Sequence, residues 1–141
     1  MGPDTKILQI TYADKSLALD CYYIASQFVG SADGLLYSIV PHVNVLRQPL
    51  FVSQKGLGIN GFVRATVEEQ KRNLLIQDLY VDRVVHRMGL GARLLQAQID
   101  YAIRCKLNTV TLLSRPSAVA FYEKMGFVRQ GPQRYTMYKT L

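Results

Sequence analysis

Apolar and polar positions divide the chain into short stretches with one of two periods. Residues 74–81 (LLIQDLYV) form a largely apolar run with β-branched and aromatic members, set between polar segments, and predict a buried strand. Gly89-Leu90-Gly91 then opens a run in which Leu90, Leu94, Leu95, Ile99, Ala102 and Ile103 recur at helical spacing, predicting a helix to about Cys105. Before this centre, residues 6–12 alternate as a first strand. Asp14 or Ser16 is placed to cap a helix over residues 17–29. Residues 35–40 read as a short helix ended by Pro41, and residues 43–47 are ambiguous. Strands are predicted over 50–54 and 59–68, joined by a turn at 56–58. After it, residues 108–113 form a β-branched strand. Residues 116–125 form a short helix with Pro116 in its first turn and Gly126 just past its end. The last strands are 127–130 and 135–138. The order β-α-α-β-β-β-α-β-α-β-β fits an α/β mixed sheet with helices on both faces, read as one domain over residues 4–141.

The glycine turn is the first feature with chemical meaning. A helix N-terminus leaves N–H groups unpaired and carries partial positive charge, and glycine lets a ligand approach the backbone. The site suits an anion such as phosphate. A turn that only packs a helix tightly on a sheet has the same sequence, so both readings stand at this point. Gly56-Leu57-Gly58-Ile59-Asn60-Gly61 matches the dinucleotide fingerprint by letter. That fingerprint needs a helix directly after it, whereas Phe62 to Val67 reads as a strand, so the segment is predicted to be a hairpin. No Walker-type loop occurs. The only histidines are His42 and His86, which excludes a site of three or more histidines.

Composition narrows the class. With 141 residues, 49% hydrophobic and 19% charged, the chain is long enough and apolar enough for an ordered core. No apolar run approaches the ~18 residues of a membrane span, and no signal-peptide pattern precedes the first strand, so a cytoplasmic protein without membrane contact is expected. Cys21 and Cys105 lie alone in predicted helices and are read as buried thiols in a reducing compartment. The net charge of +7 is unevenly spread. Residues 1–82 hold seven Lys/Arg against eight Asp/Glu, and residues 83–141 hold ten against two. A basic half that begins just before the glycine turn suits a phosphate-rich partner, either a nucleotide cofactor or a nucleic acid.

Read with its flanks, the glycine turn becomes specific. Leu79-Tyr80-Val81-Asp82, three residues, then His86-Arg87-Met88-Gly89-Leu90-Gly91 resembles motif A of the GNAT superfamily of acyl-CoA-dependent N-acetyltransferases. That motif runs Q/R-x-x-G-x-G/A after a strand of the L-x-V type. Ser117 to Phe127 (SAVAFYEKMGF) resembles the family's motif B, A-x-x-[LF]-Y-E-K-x-G-F. The two motifs stand at the family's separation and the element order is the family's. The resemblance is strong over residues 74–130 and much weaker before residue 50.

The resemblance implies a GNAT fold, acetyl-CoA as cofactor, and direct attack of a primary amine on the thioester within a ternary complex. It implies that Leu79, Tyr80 and Val81 take the pantetheine arm as a strand edge would. The segment His86, Arg87, Met88, Gly89, Leu90, Gly91 and Ala92 is implied to cradle the pyrophosphate. Arg115 and Lys124 are candidates to meet phosphates, with Arg93 a weaker one. Tyr122 occupies the family's catalytic tyrosine position, as the acid for the departing thiolate, and an amide at Val81 is the expected donor to the oxyanion. The acceptor amine, with a reference pKa of ~10.4, must first lose a proton at a cost of roughly 4–5 kcal/mol at pH 7. Asp78 is the first choice of base. Strand alternation turns it to the other face unless a bulge intervenes. Glu68, Glu69 and a water route without a dedicated base remain open.

Three departures mark this chain. His86 stands where the family has Gln or Arg. Gln77 stands where many relatives carry a glutamate base. Arg115 stands where motif B begins with Asn, so Ser114 or Ser117 is expected to cap that helix. The acceptor expected first is a small-molecule amine. Protein lysine or N-terminal acetylation, acetylation of aminoacyl-tRNA, and an inactive acyl-CoA-binding module are the alternatives. Tyr22, Tyr23 and Tyr37 are candidates for an acceptor pocket, with core packing as the competing role. A homodimer through residues 133–141, with Tyr135 and Tyr138 in the contact, is a further expectation.

Overall fold

The computed structural model describes residues 5–44, 48–86, 88–131 and 134–141. Its elements are β1 (Lys6–Ile10), α1 (Lys15–Ala25), α2 (Asp33–Asn44), β2 (Leu50–Lys55), β3 (Gly58–Glu68), β4 (Asn73–Val81), α3 (Leu90–Arg104), β5 (Thr109–Leu113), α4 (Val119–Lys124), β6 (Val128–Arg129) and β7 (Thr136–Thr140). This is the predicted order. The strands form one sheet, β1-β2-β3-β4-β5-β7-β6, in which only β4 and β5 run parallel. Glycines 56 and 58 shape the β2–β3 hairpin, as predicted from the strand that follows them.

Each face of the sheet carries a core. On one, Ala18, Cys21 and Ile24 of α1 and Leu35 and Ile39 of α2 pack on Leu50, Val52 and Phe62. On the other, Leu94, Leu95, Ile99 and Ala102 of α3 pack with Val63, Ala65, Leu74, Ile76, Val110 and Leu112, and Tyr122, Phe127 and Met137 extend this core. Asp14 caps α1 by accepting from the Leu17 N–H at 2.9 Å, the first of the two predicted caps.

Four expectations need correction. Pro41 does not end α2, which runs through it to Asn44; so near the helix end, its missing N–H forfeits a single intrahelical bond. Neither Ser114 nor Ser117 caps the helix before Tyr122. The chain enters α4 through a 3₁₀ turn, Pro116–Ala118, and the Ser114 hydroxyl donates to the Arg115 carbonyl instead. Cys105 is exposed because it is the C-cap of α3, where the chain leaves the buried face. Ile103 is 55% exposed while Gln98 is fully buried. At about 100° per residue, position 98 lies within the stripe made by 94, 95, 99 and 102, and position 103 lies outside it.

Gln98 is thus a polar group in the core that ties α3 to the sheet. Its amide donates to the carbonyls of Pro49 (3.0 Å) and Val63 (3.2 Å), while its own oxygen has no partner among the described residues. We expect Gln98→Leu to lower the unfolding free energy by about 1–3 kcal/mol through unpaired buried carbonyls, measured by equilibrium urea denaturation. An unchanged midpoint would mean these bonds add nothing to stability.

Candidate active site

The site begins where β4 leaves β5. The two pair from Asn73↔Thr109 to Ile76↔Leu112. On the other side of β4, Asp78 pairs with Arg64 and Ile76 with Ala65, so Gln77 is an extra residue, a β-bulge. The bulge inverts the faces. Ile76 and Leu79 both join the α3 core, whereas Asp78 and Tyr80 turn toward α1 and α2. Past the bulge the backbone hydrogen bonds of an antiparallel pair alternate in direction. The Asp82 N–H donates to the Asn60 carbonyl at 2.8 Å, so Tyr80 and Asp82 address β3. Leu79 and Val81 therefore direct their backbone groups to the opened side. The Val81 carbonyl accepts from His86 Nε2 at 2.7 Å.

After Val81 a 3₁₀ turn, Arg83–Val85, leads to the start of α3. Gly89 is its N-cap in the left-handed region, φ +77°, and a Cβ there would meet nothing within 4 Å. A Cβ on Gly91 would sit in ordinary contact with Phe121 and Val81. Together these elements and α4 enclose a cleft of about 650 Å³.

Tyr122 forms one wall. The residue is only 9% exposed, and its ring stands edge-on to Phe121 and Phe127, at 5.1 and 6.0 Å. Burial pushes its phenol up to about 12, and the nearby Arg115 charge opposes that shift. The position of α4 is secured at its C-terminus. Gly126 continues the chain at φ +93°, and Lys139 of β7 donates from Nζ to the Met125 carbonyl at 3.0 Å.

On the α1/α2 side, Asp78 is held by Arg64, Nε to Oδ2 at 2.6 Å, and Arg64 also donates to the Ser38 hydroxyl. A groove of about 460 Å³ runs over this pair, lined on its apolar side by Ala25, Val29, Ala32 and Leu35. Phe28 lines the cleft beside Tyr80, the residue that cleft and groove share. Its ring stacks with His86 at 5.4 Å and with Tyr80 at 5.8 Å, and the guanidinium groups of Arg83 and Arg115 lie 5.0 and 5.5 Å from its centroid.

The cleft brings together Leu79, Tyr80, Val81, His86, Gly89, Leu90, Gly91, Ala92, Arg115 and Tyr122 from the predicted set. Met88 and Lys124 are exposed and do not line it. Arg87 lies outside the described residues. Asp78, with Gln77, lines a smaller cavity at the parting of β4 and β5, which Tyr122 and Arg115 also reach. Arg93 lines a separate depression with Ile7 and Phe51. Glu68 pairs with Asn73 and Lys71 at the β3–β4 hairpin, the end of β4 opposite Val81, so neither it nor Glu69 reaches the cleft. Tyr23 and Tyr37 are exposed, and Tyr22 packs against the α1/α2 core. Phe28, Ser38 and Arg64 were not singled out from the sequence. Only the pairing of Arg64 with Asp78 had a signal, opposite charges on successive strands, and it needed the register to be read.

Comparison with known proteins agrees with this architecture. The family profile described as Acetyltransferase (GNAT) domain matches residues 47–138. The chain belongs to the GNAT acetyltransferase family, whose members use acetyl-CoA. A protein of Pyropia yezoensis called uncharacterized N-acetyltransferase ycf52 is 32% identical over 69 residues, 49% of this chain. The chain spans 39% of that relative's length. Among solved structures, the ribosomal-protein-S18-alanine N-acetyltransferase of Escherichia coli superposes with a TM-score of 0.74 at 18% identity, covering 96% of this chain and 93% of that one. A Bacillus anthracis acetyltransferase in complex with acetyl coenzyme A superposes with a TM-score of 0.58 at 22% identity, covering 67% and 62%. Among the described residues no helix is long and apolar enough to cross a membrane.

The two raised acidities make stability depend on alkaline pH. Burial holds the Cys21 thiol up to about 12 from 9.0, and Tyr122 up to about 12 from 10.0. Both groups bind their protons more tightly when folded. The stability they contribute is complete below pH 9 and is lost as pH rises toward 12. Urea denaturation at stepped pH should show the unfolding free energy declining over this window, and declining less steeply in the double variant Cys21→Ala/Tyr122→Phe. Equal slopes would remove these two groups as the cause.

Proposed function

We propose that the protein is an acetyl-CoA-dependent N-acetyltransferase that acylates a small-molecule primary amine by direct transfer. The observation that supports this reading best is the meeting in one cleft of an unpaired strand edge, a glycine-opened helix start and a buried phenol. Bound acetyl-CoA supplies the activated acyl thioester. The start of α3 fits its pyrophosphate: the N–H groups from Gly89 to Ala92 are unpaired within the helix, and the space beside Gly89 is open. The free backbone groups of Leu79 and Val81 fit an amide-rich arm as a neighbouring strand would fit them. His86 already donates to the Val81 carbonyl, so it stands in the path of that arm and shares the acceptor with it.

The residues then have these roles. The Val81 N–H donates to the acyl oxygen as it gains charge, a kind of contact worth ~3–4 kcal/mol in related chemistry. Tyr122, kept neutral by burial at neutral pH, donates to the departing sulfur. Asp78, aimed by Arg64, receives the acceptor's proton through water in the small cavity. The cleft and the groove meet at Tyr80, so donor and acceptor approach from opposite faces of the sheet.

Release of free thiol from acetyl-CoA across a panel of amines tests the reading. Tyr122→Phe should lower kcat by ~10²–10⁴-fold, with the dissociation constant for acetyl-CoA, read by calorimetry, within about threefold. An unchanged kcat would remove Tyr122 from the chemistry. Tight acetyl-CoA binding without thiol release on small amines, peptides or charged tRNA would make the protein a binding module.

A further inference from the structure

The acceptor side of the site carries a charge pattern that the transfer reaction does not require. The Arg115 guanidinium lies 5.4 Å from the Tyr80 ring centroid and 5.5 Å from that of Phe28. It has no hydrogen-bond or ion-pair partner among the described residues. Aromatic rings cover faces of a guanidinium and leave its N–H donors, which lie in its plane, directed outward. Those donors match a planar oxyanion such as a carboxylate. Tyr80 packs against the α1/α2 core, while Arg115 lines the main cleft together with Phe28 and the start of α3. Arg115 also reaches the small cavity at the parting of β4 and β5, which no described residue of α3 lines. A negative charge of fixed position lies close by in Asp78, which lines the small cavity with Arg115. The two charges act in opposite senses on the Tyr80 phenol, which they flank. Beside them runs the apolar groove of about 460 Å³.

Resting on the acetyltransferase reading, we infer that the acceptor is a zwitterionic amino acid with an apolar side chain. Its carboxylate meets Arg115, its amino group lies toward Asp78, and its side chain enters the groove over Ala32 and Leu35. An acceptor bearing only positive charges is disfavoured by the same arrangement. Arg83 adds a second guanidinium at Phe28 without a carboxylate partner among the described residues. Arg115, which from sequence alone is a candidate for the cofactor's phosphates, thereby becomes a residue that selects the acceptor.

The experiment compares leucine, leucinamide and isoamylamine as acceptors for the wild-type protein, Arg115→Gln and Arg115→Lys. Acetyl-CoA affinity is measured by calorimetry in parallel. The wild type should favour leucine over both analogues by at least ~10-fold in kcat/KM, the size of one lost charged contact. Arg115→Gln should abolish that preference and keep the acetyl-CoA dissociation constant within about threefold. Arg115→Lys should restore part of the preference. Equal use of leucine and isoamylamine by the wild type would overturn the proposal. So would a large loss of acetyl-CoA affinity in Arg115→Gln with the preference intact, which would return Arg115 to the phosphates. A second measurement does not need turnover. N-acetylleucine should raise the Tm of the wild type and not of Arg115→Gln, and a shift in neither or in both would overturn the proposal. If the shift depends on Arg115 but no amine is acetylated, the carboxylate site at Arg115 stands as a binding site, and the acetyltransferase reading fails together with the acceptor role.

Discussion

One extra residue in β4 is the constraint on which the cleft depends. If residues 73–81 alternated strictly, Asp78 would share the face of Ile76 and lie under α3 in an apolar core, where an unpaired carboxylate is costly. The bulge at Gln77 sends Asp78 to the α1/α2 side, where Arg64 of the neighbouring strand meets it. The same irregularity coincides with the end of pairing between β4 and β5. Beyond it a stretch of strand has a partner on one side only, and its other edge faces the cleft. Unpaired backbone is a liability at a sheet edge. Here it lies inside a walled cleft, shielded from other chains and open to a ligand of matching hydrogen-bond pattern.

The electrostatics follow from that geometry. The cleft holds a buried neutral phenol, two guanidiniums gather at Phe28 on its rim, and the Arg64–Asp78 ion pair lies on the α1/α2 side. Burial is the main cause that raises both Tyr122 and Tyr80; Arg115 opposes it at each, and Asp78 adds to it at Tyr80. The basic half of the sequence is not one patch. Arg83 and Arg115 converge on Phe28, Arg93 sits elsewhere on α3, and Lys139 serves as a helix cap.

Residues 74–105 are legible from sequence because two strong signals coincide there: a continuous apolar run and a helical stripe divided by glycines. The fold follows, since the element order restricts the sheet. Position 98 defeats residue-type reasoning, because a glutamine in an apolar stripe looks like a flaw until its two carbonyl partners, 49 and 35 residues away, are known. Phe28 is illegible for another reason. It belongs to an irregular segment after α1, and it comes to the cleft because the Gln27 side chain accepts from the Arg83 backbone N–H. That contact spans 56 positions and has no periodic trace. Asp78 lies between these cases: its residue type was visible, but its direction depended on a bulge that no local pattern announces.

The last strand ties the reactive centre to the order in which the chain assembles. β7 is inserted between β5 and β6, two strands that precede it in sequence, and its Lys139 holds the end of the helix that bears Tyr122. Helix α4 has only six residues, too few to be stable alone. The phenol therefore reaches its working position only after a late, non-local strand has closed the sheet. Such pairings are slow to form because chain entropy is lost before the contacts reward it. The scaffold around the glycine turn, built from neighbours in sequence, is complete sooner. Capacity to bind the donor should accordingly precede capacity to transfer its acyl group as the protein folds.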